Sequence, residues 1–220
     1  MEHVRKSHNK YKLNHIIAHC PRGSKVLDVG CGRGGDTGKW KRVGANVTMG
    51  DPDGESLQEA VNRSNTNSLG ARVYRGDITS SPCEKYDVIC YNFSLQYIFS
   101  SPELFNRSMQ AILKRLHRGS KLMGCIPDSE FIAMNPSFTD KFENTFVRRD
   151  YKWDFGDSVL VHLNAPYYGD DFVREPIAHK DILITWLEKR GCRLVQWEPL
   201  CPVKTDLITD MYTKFCFIRV

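Results

Sequence analysis

Val26-Leu-Asp-Val-Gly-Cys-Gly-Arg-Gly-Gly-Asp-Thr-Gly-Lys-Trp40 is the stretch that decides the fold. An apolar run carrying Asp28 passes straight into a glycine loop in which Gly30, Gly32 and Gly35 satisfy G-x-G-x-x-G. Such a loop joins a strand to a helix and lets the backbone approach a ligand closely. Asp51 follows about 20 positions on, the spacing expected when a second parallel strand ends beside the first. Its carboxylate can hold hydroxyls or a cation. The loop pattern alone is shared by unrelated nucleotide-binding enzymes, so the rest of the chain has to choose among them.

Strand and helix patterns alternate on both sides of the loop. The spacing predicts a helix over Asn9–His19, with Leu13, Ile16 and Ile17 near one face, and strands over Lys25–Val29 and Asn46–Gly50. Helices are expected at Gly35–Val43 and Glu55–Arg63, and strands at Ala71–Arg75 and Tyr86–Asn92. A helix begins near Pro102 and reaches about Leu116. A fifth strand, Lys121–Ile126, stops at Pro127. This alternation implies a mainly parallel sheet with helices on both faces and a ligand at the carboxyl ends of the strands. Asp28, Asp51, Asp77 and the Asn92–Tyr97 segment all fall at such ends. The pattern then changes. Phe142–Asn164 mixes charged and apolar residues as a small strand-rich insertion would, before a helix at His179–Arg190 and strands at Arg193–Trp197 and Tyr212–Val220.

The 220 residues suit one domain. Thirty-one Lys and Arg against 26 Asp and Glu give a formal charge of +5, which tolerates a polyanionic partner without requiring one. The eight cysteines include no C-x-x-C pair, which argues against a zinc or thioredoxin-type site and for a reducing compartment. With no signal-peptide pattern and no run of 18 apolar residues, the expectation is a soluble intracellular chain without a membrane or DNA partner.

At this level of detail the sequence resembles the mRNA cap guanine-N7 methyltransferases over nearly its whole length. Leu27-Asp-Val-Gly-Cys-Gly-Arg-Gly-Gly-Asp36 is similar to that family's S-adenosylmethionine (AdoMet) loop, with Arg33 where lysine is usual. Tyr86-Asp-Val-Ile-Cys-Tyr-Asn-Phe-Ser-Leu-Gln-Tyr97 resembles a family strand ending in Gln-Phe-x-x-His-Tyr, with Gln96 in place of the histidine. Gly124-Cys-Ile-Pro-Asp128 resembles a family turn. Arg174-Glu-Pro-Ile-Ala178 falls where the family carries its cap-binding glutamate, and Tyr212 leads a terminal strand as a family tyrosine does. The compact style resembles the methyltransferase domains of capping enzymes from large cytoplasmic DNA viruses such as African swine fever virus.

The resemblance implies a Rossmann-like class I methyltransferase fold, with a seven-stranded sheet, over residues 1–220, and a cap-binding insertion at about 136–178. It implies AdoMet as cofactor and the capped mRNA 5′ end as partner. Triphosphatase and guanylyltransferase domains in the same polypeptide are a further expectation. So is a setting in the host cytoplasm for a viral chain, or in the nucleus for a cellular one. Lys12, Asp28, Gly30, Asp51, Asp77, Phe93 and Ser94 would bind the cofactor. Lys12 would meet the tail carboxylate, Asp28 would anchor the loop and the amino end, Asp51 would take the ribose hydroxyls and Asp77 the adenine amino group. Asn9, Arg33, Lys39, Arg63, Gln96, Tyr97, Glu175 and Tyr212 would bind the cap, with Tyr97, Glu175 and Tyr212 positioning the base.

The chemistry asks for no more than that. N7 of guanine has an in-plane lone pair and no proton, so no general base and no metal are nominated. Gln96 keeps hydrogen-bonding capacity but cannot become cationic near neutral pH. Three other readings remain open: an AdoMet enzyme acting on a tRNA base or a small molecule, an NAD-dependent oxidoreductase sharing the bare glycine pattern, and a non-catalytic RNA-binding or stimulatory fold.

Overall fold

The computed structural model describes residues 2–149, 155–164 and 171–220. Strand β1, Lys25–Val29, is buried at four of its five positions and lies between β2, Asn46–Asp51, and β4, Tyr86–Asn92, both parallel to it. A strand covered on both faces must be a near-continuous apolar run, and Val26-Leu-Asp-Val29 is one, interrupted by the single charge of Asp28. With β3 (Arg72–Arg75), β5 (Leu116–Pro127), β10 (Cys192–Pro199) and β11 (Tyr212–Arg219) the sheet has seven strands in the order β10-β11-β5-β4-β1-β2-β3. The ladders on either side of β11 are antiparallel and the others are parallel.

The crossovers are made by helices whose ends are chemically marked. Asp53 caps α3, Gly54–Thr66, by accepting from the backbone N–H groups of Glu55 and Ser56. Ser101 caps α4, Pro102–Arg115, through Leu104 N–H, with Pro102 in the first turn where a missing N–H costs nothing. Phe105, Met109 and Ile112 form the buried stripe of α4, and each such side chain contributes roughly 1.5–3 kcal/mol relative to an exposed one. Helix α2, Thr37–Val43, follows the glycine loop and ends at Gly44 in a left-handed conformation. Helix α6, Lys180–Glu188, returns the chain to β10.

Two element starts and one buried face depart from the periodicity. Helix α1 spans Glu2–His19, well before Asn9, because contacts made by its first half with the end of β11 add to a weak amphipathic pattern. Ile17 is half exposed rather than on the buried face. Strand β5 begins at Leu116, which pairs with Tyr86 ahead of an irregular stretch at Gly119.

Between β5 and α6, after the short helix α5 (Ser129–Met134), lies a separate four-stranded antiparallel sheet of β6 (Ser137–Thr139), β7 (Thr145–Arg149), β8 (Ser158–His162) and β9 (Val173–Pro176). Asp150 and Tyr151, which belong to the mixed charged and apolar pattern, lie outside the described residues. The sheet packs Phe146, Val159, Val161 and Ile177 into a core shared with Cys125, Met211 and Tyr212 of the main sheet's end. A buried ion pair, Arg148 Nη2 to Asp157 Oδ2 at 2.6 Å, pins β7 to the residue before β8. No helix among the described residues is long and apolar enough to cross a membrane.

Candidate active site

The carboxyl ends of β1, β2 and β4 open onto a cavity of about 530 Å³ lined by Gly30, Gly32, Asp51, Asp77, Phe93, Ser94 and Tyr97, with Ile78, Ile98 and Leu104 as apolar wall. Gly30 has φ +71° and a Cβ there would lie 2.4 Å from Cβ of Ser94. Only glycine allows β1 and β4 to end this close together, and Ser94 Oγ closes the gap by donating to the Val29 carbonyl at 2.6 Å. Phe93 also sits at positive φ, +62°, fixed by its N–H donating to the Cys125 carbonyl at 2.7 Å. For a bulky residue that conformation costs about 1–3 kcal/mol.

Asp51 is tied into the glycine loop. Its Oδ2 accepts from Gly32 N–H at 2.8 Å and its Oδ1 from Asp53 N–H at 2.9 Å. Each oxygen keeps a further lone pair, so the residue remains an acceptor-only group at the cavity wall. Asp77 lines the cavity and is a turn residue at once. Its Oδ1 accepts from Thr79 N–H at 2.8 Å and from Thr79 Oγ1 at 2.5 Å, while Arg107 Nη2 lies 3.5 Å from Oδ2.

Behind the loop sits a buried charge cluster. Lys12 Nζ lies 2.8 Å from Asp36 Oδ1, and Lys39 Nζ lies 2.6 Å from the same oxygen. Asn92 Nδ2 donates to Asp36 Oδ2 at 2.8 Å. Burial alone would raise Asp36, but the two ammonium groups hold it well below the usual carboxylate range. Burial also opposes the charge on Lys12; Asp36 outweighs it and the lysine is raised. Asp28 points away from the cavity into this cluster and accepts from the Trp40 indole N–H at 2.8 Å. Burial first, then the nearby Asp36, push Asp28 up to about 7. Asp28 therefore anchors α2 to β1 and is not among the residues that line the cavity. Lys12 is already paired with Asp36, so a tail carboxylate would have to share it.

Beyond Phe93 and Tyr97, which line the cavity, a second group is assembled from distant segments; Gln96, Glu175 and Tyr212 belong to it and do not line the cavity itself. Gln96, on the 3-10 turn Leu95–Ser100, is buried, and its Nε2 donates to the Phe93 carbonyl and to Glu175 Oε2, both at 3.1 Å. Two acceptors around the nitrogen fix the amide's orientation, and Oε1 is left buried without a partner. Burial pushes the Glu175 carboxyl up, opposed by the Gln96 hydrogen bond. Tyr97 is 45% exposed at the cavity edge. Tyr212 is buried, with its ring edge-on to Phe93 at 4.8 Å and to His8 at 5.2 Å. His8 closes this aromatic group and shares a hydrogen bond with Thr209 Oγ1 at 3.1 Å. Burial, and secondarily Lys12, push His8 down to about 3, so its imidazole is uncharged at neutral pH.

The remaining cap candidates also lie outside the cavity. Lys39 spends its donors on Asp36, on Asn9 Oδ1 at 2.8 Å and on the Gly35 carbonyl at 2.8 Å. It buttresses the loop against α1, and Asn9 serves as its acceptor. Arg63 is exposed and bonded to Glu59 Oε1 at 2.8 Å, one turn beyond Ala60, the residue of α3 against which Gly34 packs. Arg33 is exposed on the loop. Sequence reasoning named the segment of Asn92 and the motif of Asp36 without giving either residue a role, and missed His8 and Arg107. Asp36 ends the quoted motif, and His8 precedes Lys12 by one helical turn, so both had a signal. Arg107 had none.

A seven-stranded sheet with this order, one reversed strand and a glycine loop after β1 defines a class I AdoMet-dependent methyltransferase fold. Solved structures agree. An S-adenosylmethionine-dependent methyltransferase from Clostridium acetobutylicum superposes with a TM-score of 0.67 at 14% identity, covering 97% of this chain and 91% of that one. The glycopeptide N-methyltransferase MtfA complexed with sinefungin gives 0.65 at 12% identity, covering 97% and 94%.

Within that class the chain belongs to the mRNA (guanine-N(7))-methyltransferase domain family, which it matches over residues 3–174. The mRNA cap guanine-N(7) methyltransferase of Saccharomyces cerevisiae is 31% identical over 189 residues, covering 77% of this chain and 41% of the relative. That of Candida glabrata is 31% identical over 205 residues, covering 84% and 46%. That of Cryptococcus neoformans is 28% identical over 201 residues, covering 81% and 28%. The chain thus spans between about a quarter and just under half the length of these curated relatives.

Proposed function

We propose that this domain transfers the methyl group of S-adenosylmethionine to N7 of the guanine that caps mRNA. The observation that carries the reading is the Gln96–Glu175 pair. A half-buried carboxylate from the inserted sheet, 79 residues distant in sequence, is hydrogen-bonded to Gln96 next to Phe93 at the wall of the glycine-loop cavity. Guanine presents N1–H and N2–H donors on its pairing edge. Two acceptors, the Glu175 carboxylate and the unpartnered Gln96 Oε1, match that edge. Histidine at position 96 would place a donor there or a charge; glutamine supplies a neutral amide.

The residues at the strand ends fit the methyl donor. The cavity lies within the roughly 300–1,000 Å³ usual for ligand sites. Asp51 offers lone pairs suited to a ribose diol, Asp77 an acceptor suited to an exocyclic amine, and Ile78 an apolar wall for a flat base. AdoMet, when bound, supplies an electrophilic methyl on a sulfonium. The protein's part is alignment. Tyr97 and Tyr212 bound the base, while Gln96 and Glu175 fix its rotation, so that the N7 lone pair faces the donor. Orientation of this kind contributes up to roughly 7–11 kcal/mol in favourable systems. As positive charge passes to the guanine, the Glu175 carboxylate is placed to stabilise it. No side chain needs to remove a proton.

The wider setting is also proposal. The greater length of the relatives supports a domain that works beside others, triphosphatase and guanylyltransferase units among them. Cap methylation places it inside the cell, in the cytoplasm if the viral style holds and in the nucleus if the chain is cellular. The test is methyl transfer from labelled AdoMet to GpppG-capped RNA, with nuclease digestion to locate the product. The expected product is 7-methylguanosine at the cap. Label at an internal base, or on a small acceptor alone, would refute the assignment.

A further inference from the structure

A second hollow lies outside the pocket, between α1 and α2, with a volume of about 370 Å³. It is lined by Asn9, Lys10, Leu13, Gly35, Gly38, Lys39 and Arg42. Three of these are cations, of which Lys39 is already held by Asp36 and only Lys10 and Arg42 are left to meet a ligand, and none is an acid. Lys10 and Arg42 are exposed, and among the described residues neither is paired with a carboxylate. The nearby acid, Asp36, is buried beneath Lys39 and already holds two ammonium groups.

The floor is chemically unusual. Gly38 is the second residue of α2, where alanine is the better helix former. Its φ is not positive, and a Cβ would meet only Asn67 Nδ2 at 3.9 Å, an ordinary contact. A Cβ on Gly35 would meet nothing within 4 Å. Neither packing nor backbone geometry demands glycine at position 38, and its effect is to keep the groove floor open to close approach of a ligand. The groove also begins at the loop's far edge, where Lys39 touches both Asn9 and Gly35.

We propose that this α1–α2 groove carries the phosphodiester backbone of the RNA that follows the cap. The proposal rests on the functional reading above and extends it from the cap to the transcript. Cations without acids suit a run of phosphates, which supply most of the affinity in sequence-independent binding. The lining holds no aromatic ring, and Leu13 is its single apolar side chain. Base stacking, the other mode of single-strand binding, has no platform there. The groove should therefore hold the chain without reading its sequence.

The experiment compares methylation of the GpppG dinucleotide with that of a GpppG-capped 20-nucleotide RNA, in wild type, in the double variant Lys10→Glu/Arg42→Glu and in Gly38→Leu. The double variant should raise KM for the capped RNA about tenfold, while KM and kcat for the dinucleotide stay within about twofold. Its log KM should also depend less steeply on log salt, by roughly 0.7 for each phosphate that the protein no longer neutralises. Gly38→Leu fills the floor without changing charge and should raise KM for the RNA alone, by about threefold. AdoMet affinity, measured by calorimetry, should not change in either variant. Equal losses on the two substrates, or no loss on the longer one, would overturn the groove while leaving the cap assignment intact. Failure of wild type to methylate either substrate would overturn the functional reading and the groove with it.

Discussion

The two sides of the pocket are built by opposite strategies. On the side proposed for the methyl donor, Gly30, Asp51 and Asp77 stand at consecutive strand ends, and the two carboxylates are held by backbone hydrogen bonds from within the adjoining loops: Gly32, 19 residues away, and Asp53 for Asp51, Thr79 for Asp77. On the acceptor side nearly every contact is long-range. Gln96 reaches Glu175 across 79 residues, and His8 reaches Thr209 across 201. A donor site made locally can be inherited across a fold whatever the acceptor. An acceptor site made by an inserted sheet and the chain's two ends can be changed without disturbing it. The two should therefore fail independently when mutated.

The strongest way to break that separation is Glu175→Ala. It leaves the Gln96 amide without its carboxylate and removes the proposed acceptor for the base, so kcat/KM on capped RNA should fall about 100-fold or more, roughly 3 kcal/mol. AdoMet affinity by calorimetry should remain within about twofold; a matching loss there would join the two sides into one site. The converse variant, Asp51→Ala, frees two backbone N–H groups and removes the proposed ribose acceptor. It should weaken AdoMet binding by about 30-fold, near 2 kcal/mol, with binding of a cap analogue unaffected.

Asp28→Asn sharpens the comparison by testing the foundation of the donor side. The buried Asp28 carboxyl is raised to about 7. A raised acid binds more protons in the folded state, so wild type is most stable below the unfolded value near 4 and loses that contribution as pH rises through 7. Asparagine still accepts from Trp40 and has no charge to bury. Thermal melts should coincide near pH 4 and diverge upward, with the variant more stable by about 1–2 kcal/mol at pH 8. Parallel curves across that range would remove the burial argument. The smallest effect is expected from Arg63→Ala. An exposed pair at i,i+4 is worth only about 0.3–0.5 kcal/mol, so KM for capped RNA should shift by threefold or less, and less still at high salt.

The same asymmetry governs what could be read before folding. Strands β1, β2 and β4 were legible because central parallel strands are apolar runs closed by glycine or polar residues, and the donor residues stand where those runs stop. Asp36 was part of the motif, but its duty became visible only when α1 brought Lys12 against it. The acceptor side was legible only through resemblance. Nothing in the local pattern of Arg174-Glu-Pro176 says that β9 pairs with β8 and delivers Glu175 to Gln96. His8 lay on the same helical face as Lys12, yet its partners Thr209 and Tyr212 sit at the other end of the chain. Lys39 and Arg63 show the reverse difficulty. A cation at the right spacing looks like a phosphate ligand until its neighbours, Asp36 and Glu59, are seen to occupy it.

The central claim is that alignment of an unprotonated ring nitrogen is what the site achieves. A cap in which guanine N7 is replaced by C–H tests it most directly, because the pairing edge that Gln96 and Glu175 would read is unchanged. Wild-type protein should bind the 7-deaza cap about as well as GpppG and transfer no methyl group to it, while GpppG-capped RNA is converted to the 7-methyl product. Methyl transfer to the 7-deaza cap at a rate comparable with GpppG would place the acceptor atom elsewhere and contradict the account.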